Sequence, residues 1–175
     1  MGATGWQYYV RHQSDINVAL QQLRQEIFQN GAYEKPMCDE DIEVAVKNLS
    51  PQLKKLYELA ERLEKNKPPK IRPTSPPRTI EELVEQCEES GTHSILDIDH
   101  ISTVPEFGAL TPLSERQLIE LFGTAQPTHS VVDLWHTGIH PITEPRLYER
   151  WQGIYFTIFK DGVPNEFYIE GASGD

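Results

Sequence analysis

The C-terminal stretch GIYFTIFKDGVPNEFYIEG, residues 153–171, constrains the fold more than any other part of this 175-residue chain. Two runs of aromatic and β-branched residues flank KDGVPN. Asp161-Gly162 favours a tight turn, and Pro164, lacking an N–H, cannot continue a ladder. An antiparallel hairpin is therefore expected over residues 153–170, pairing 154–159 with 165–170. Two further strands are expected. WQYYV, residues 6–10, places Trp6, Tyr8 and Val10 on one face at period two. Within GTHSILDIDHIS, residues 93–98 read as an interior strand with Leu96 and Ile98 in the core and His93 facing a cleft. The expected fold is α+β: a mainly antiparallel sheet of about four strands (6–10, 92–99, 153–160 and 165–170) with a C-terminal hairpin, covered by helices.

The helices announce themselves by caps and periodicity. Ile16, Leu20, Leu23 and Ile27 recur at helical spacing between Ser14, a suitable N-cap, and Gly31. DEDIEVAVKNL and SPQLKKLYELAERLEK follow as a helical hairpin, broken at Ser50-Pro51. Thr79 with Glu82 makes a capping box for a helix closed by Gly91. After a loop, SERQLIELFG repeats the pattern with Ser114, Gln117 and Gly123. Between the helical hairpin and the Thr79 helix, NKPPKIRPTSPPRT holds five prolines, so residues 66–78 are expected to carry neither helix nor strand. The chain is expected to be a single α+β domain, 1–175, with this segment crossing its surface.

Charge narrows the partners. The formal net charge is −11, yet Lys65, Lys67, Lys70, Arg72 and Arg78 form a basic strap without an acid. An acidic body repels phosphate backbones, which argues against nucleic acid. No run approaches the roughly 18 apolar residues of a membrane span, and the N-terminus shows no secretory or myristoylation pattern. Cys38 and Cys87 stand apart in acidic surroundings, which raise a thiol pKa. A disulfide framework is not expected, and a cytoplasmic setting fits.

Candidate chemistry gathers between residues 93 and 140, where five of the six histidines fall. On a strand, His93, Asp97 and Asp99 share the face opposite Leu96 and Ile98. Asp97 and Asp99 then lie roughly 7 Å apart, whereas His93 is about 13 Å from Asp97, so a partner from elsewhere is needed. THSVVDLWHTGIH offers one. His129, Asp133 and His136 stand at i, i+4 and i+7 on one helical face, with His140 beyond Gly138. That set suits a divalent metal, the single cofactor left open, or general acid work by an imidazole. It matches no specific metal motif, and a solvated helix face is the favoured alternative. GxSxG, P-loop and GxGxxG patterns are absent, and HISTV is single where a two-histidine phosphoesterase needs a pair.

GWQYYV near the N-terminus, GTHSILDI in the middle and GASGD at the C-terminus together resemble a family of small uncharacterised bacterial cytoplasmic proteins. The resemblance implies a bacterial origin and a single domain, and carries no function. Two functional readings stay open. In the first, a non-catalytic regulatory protein of inhibitor or immunity type contacts another protein, with Trp6, Tyr8, Trp135 and Trp151 as candidate binding residues. In the second, a small hydrolase or transferase uses His93, Asp97 and His136, with or without a metal at His129, Asp133 and His136.

Overall fold

The computed structural model describes residues 4–36, 39–64, 73, 75–88, 90–136 and 147–174. They fall into two compact units, one from residues 1–34 and 88–175 and the other from residues 35–87. The first unit holds a five-stranded mixed sheet. Its strands are β1 (Gly5–Arg11), β2 (His100–Ile101), β3 (Ala109–Pro112), β4 (Gln152–Lys160) and β5 (Val163–Ala172). They lie in the order β1-β5-β4-β3-β2. The β1–β5 and β5–β4 pairs are antiparallel, and the β4–β3 and β3–β2 pairs are parallel.

The hairpin forms where its turn placed it, but β5 runs through Pro164, which stands opposite Phe159 beside an irregularity between Ile158 and Phe159. Tyr155 faces Ile169 and Lys160 faces Val163. Asp161 and Gly162 both take positive φ, 52° and 75°, the pair of left-handed residues that a two-residue turn between twisted strands requires. The sheet departs from expectation on its other side. Residues 92–99 form no strand: Ile95–Asp97 is a single 3-10 turn, preceded by His93 at φ 54°. The cause is local. The Ser94 hydroxyl accepts the Leu96 N–H at 3.2 Å, and Asp97 Oδ1 accepts the Thr92 N–H at 2.8 Å. Short polar side chains thus satisfy the donors a ladder would have used. Leu96 and Ile98 are buried as expected, but Ile95 and Asp97 are buried too, so period-two sorting fails here. The pairing strand begins later, at His100, and runs parallel to β3, four residues long in a stretch read as loop.

Helices cover both faces of the sheet. Alternation along β4 points Ile154, Phe156 and Ile158, with Tyr168 of β5, toward α5 (Glu115–Phe122) and α6 (His129–His136). There they form one core with Leu113, Leu118, Leu121 and Val132. Phe167 and Ile169 take the other face, that of α1 (Ile16–Asn30), which buries Ala19, Leu20, Leu23 and Ile27. Asp15, not Ser14, caps α1, accepting the Asn17 N–H at 2.8 Å. Ser114 and Gln117 make the expected capping box on α5, closed by Gly123 at φ 72°.

The second unit holds α2 (Asp39–Lys47), α3 (Pro51–Glu64) and α4 (Ile80–Gln86). Pro51 opens α3 as expected. On α4, Thr79 accepts the Glu82 N–H at 3.2 Å, but Glu82 reaches back to the Arg78 N–H at 2.7 Å. Cys87, rather than Gly91, ends that helix. Most of the Pro-rich segment, with Lys65, Lys67, Lys70 and Arg72, lies outside the described residues, as do Cys38 and His140. Among the described residues no helix is long and apolar enough to cross a membrane.

Candidate functional site

The densest polar cluster lies on the sheet face beneath α6. The register sets Gln7 opposite Glu170, Tyr9 opposite Tyr168 and Arg11 opposite Glu166. Above them, His129, Asp133 and His136 share one face of α6, as their spacing requires; the first two meet Tyr9 and the third meets Tyr168. The His129 ring stacks on Tyr9 with centroids 4.3 Å apart, and its Nε2 bonds the Glu166 carboxylate. Tyr9 donates its hydroxyl to Asp133 at 3.2 Å. His136 Nε2 lies 2.5 Å from the Tyr168 hydroxyl, which is itself 2.9 Å from Glu170 and 3.2 Å from Gln7 Oε1. Tyr148 donates to the other Glu170 oxygen at 2.7 Å.

One proton on Tyr168 has three claimants, and the charged one wins. Tyr168 donates to Glu170, so His136 presents Nε2–H to the phenol oxygen. Burial, then the negative charge of Glu170, drives the Tyr168 phenol far above its ordinary pKa. Burial and the neighbouring Asp133 push Tyr9 up to about 12. Both phenols are neutral donors at physiological pH. His136, Tyr168 and Glu170 are thus joined in one hydrogen-bonded chain. Its members also fix α6 to the sheet.

The other candidates lie elsewhere. His93 Nδ1 pairs with the Glu34 carboxylate. Asp97, buried, accepts the Thr92 N–H and, through Oδ2, the Ser173 hydroxyl. No described hydrogen bond joins His93 or Asp97 to His136. Among the described residues no group of three or more His, Cys, Asp or Glu side chains converges to hold a metal ion. Trp6 and Trp135 are buried, while Tyr8 and Trp151 are part-open. Trp6 lies against Gly171 and Gly153, and Trp151 against Gly91 and Gly174, where an added Cβ would sit within 3.1 Å of the rings. The segments GWQYYV, GTHSILDI and GASGD therefore meet around these two indoles.

Sequence reasoning overlooked Glu166, Glu170 and Tyr148. The signal was available in part: Glu166, Tyr168 and Glu170 alternate along one strand and so share a face. Asp99 was grouped with His93 and Asp97, and its pairing with His100 was missed. His100 bonds Asp99 through Nδ1 and Glu106 through Nε2, at 3.2 Å for the latter. The Asp99 bond, then the Glu106 bond, raises the His100 pKa. An NMR titration is expected to place His100 above the ordinary imidazole value of about 6.5, and to return it toward that value in Asp99→Asn. Because the folded-state pKa is raised, the contact is fully formed below the ordinary value and is lost as pH climbs through the raised one. No family model, curated protein or solved structure matches the chain.

Proposed function

We propose that this protein is non-catalytic and acts by binding another protein. One observation carries the reading: α2 and α3 present Val44, Leu53, Leu56 and Leu59 to solvent, each half or more exposed. Leu53, Leu56 and Leu59 fall within one stripe of α3, flanked by Ala60 at helical spacing. A soluble chain rarely leaves such a row open unless a partner covers it, and an amphipathic helix laid against an apolar groove is a recurrent mode of protein recognition. The net charge of −11 favours a protein over a phosphate backbone as that partner. The hydrolase or transferase reading loses ground because the described partners of His93, Asp97 and His136 are all different: Glu34, Thr92 with Ser173, and Tyr168. Photo-crosslinking from position 56 in living cells tests the proposal.

A further inference from the structure

Among the described residues, no strand lies beside the outer edge of β1. The Thr4 carbonyl accepts from Ser173 N–H at 2.9 Å, and His12 N–H donates to Asn165 at 3.0 Å. Even-numbered residues of the strand therefore turn their backbone groups toward β5. By alternation, Gly5, Gln7, Tyr9 and Arg11 turn theirs outward. Few of the devices that blunt an open edge are present: residues 5–11 contain no proline or lysine and pair with β5 without a bulge, and Arg11 at the strand's end is its one charged side chain. Beside this edge opens a groove of about 690 Å³ between β1 and α1, lined by Tyr8, Val10, His12, Gln22, Leu23 and Glu26.

Charge indicates what covers it. Residues 4–30 carry two basic and two acidic side chains, Arg11 and Arg24 against Asp15 and Glu26, and so are neutral. The rest of the chain carries the whole −11. Two copies repel one another through most of their surface, but not through this part. The α1 surface bordering the groove exposes Gln22, Gln25 and Gln29, side chains that both donate and accept without charge.

We propose that a second copy of the chain docks here, β1 against β1 in antiparallel register, joining two five-stranded sheets into one. The strand is suited to pair with itself. With a two-fold axis at Tyr8, Gly5 stands opposite Arg11 and Gln7 opposite Tyr9 of the second copy. That register uses every outward N–H and C=O of the four residues. Any shifted register leaves some of them unpaired. Tyr8, which lines the groove, then meets its counterpart on the axis. The proposal stands apart from the α3 reading and rests on a different surface.

Sedimentation analysis of the full chain over a range of concentrations, combined with amide hydrogen exchange, tests it. The expected mass is twice the 20.1 kDa of one chain. The amides of Gly5, Gln7, Tyr9 and Arg11 are expected to exchange slowly at concentrations where the dimer forms and rapidly on dilution. Gln7→Pro removes one outward donor without touching the β5 ladder, and Gln7→Lys brings two like charges to the edge. Each is expected to raise the dimer dissociation constant at least about tenfold. Slow exchange at Tyr8 and Val10 in both variants verifies that the strand is still folded. A monomer whose four outward amides exchange rapidly at every concentration overturns the proposal. So does a dimer that both variants leave intact, or protection of those amides that appears only with a different protein.

Discussion

Gly171→Ala is expected to destabilise the protein by about 3 kcal/mol, at the upper end of the cost of overpacking a core. A Cβ at this position would lie 2.3 Å from the Trp6 ring and 2.7 Å from the Gln152 carbonyl oxygen. The first obstacle is a buried indole, and the second is backbone in the neighbouring strand, which cannot rotate away. Relief requires β1, β5 and β4 to separate, at the cost of ladder hydrogen bonds. Urea denaturation should show a lower midpoint with an unchanged slope, because the surface exposed on unfolding is the same. Gly162→Ala meets no atom within 4 Å but sits at φ 75°, so its loss should be smaller, about 1 kcal/mol, and purely conformational. Equal losses at the two positions would contradict the packing explanation.

The second large effect is expected at Asp97. Removing its carboxylate leaves the buried Thr92 N–H and Ser173 hydroxyl without the acceptor they share. An unsatisfied buried donor costs about 1–3 kcal/mol, so Asp97→Ala is expected to lose about 2–4 kcal/mol in the same denaturation experiment. Asp97→Asn keeps an oxygen for Thr92 and offers an amide to the Ser173 oxygen, and should lose about 1 kcal/mol. If Asp97 were instead a surface-facing catalytic group, both substitutions would leave stability nearly unchanged.

These residues also show where local pattern stops being informative. The hairpin was legible because its information is local: a turn dipeptide bounded by alternating apolar runs. The N-caps of α5 and α4 were legible for the same reason, since each bond spans three residues. The 92–99 stretch misled because Ser94 and Asp97 bond their own neighbours, a competition that apolar parity does not register. β3 was missed because four residues ending in Pro112 are too short to show a period. The common face of His129, Asp133 and His136 followed from helical spacing. Their partners Glu166, Tyr9 and Tyr168 come from strands far away in sequence, and only the register of β1 on β5 brings them together. Glu34 beside His93 carried no local signal at all.

The claim that this protein works by binding another protein is tested most directly by photo-crosslinking in the cells that make it. A benzophenone side chain placed at position 56, in the exposed stripe of α3, should capture one protein in a discrete adduct. The same side chain at Glu115, exposed on α5 of the other unit, should capture none of it. Adding Leu53→Glu and Leu59→Glu should abolish the position-56 adduct while the protein remains folded. A position-56 adduct no stronger than the Glu115 control, or one that survives both glutamates, would contradict the account.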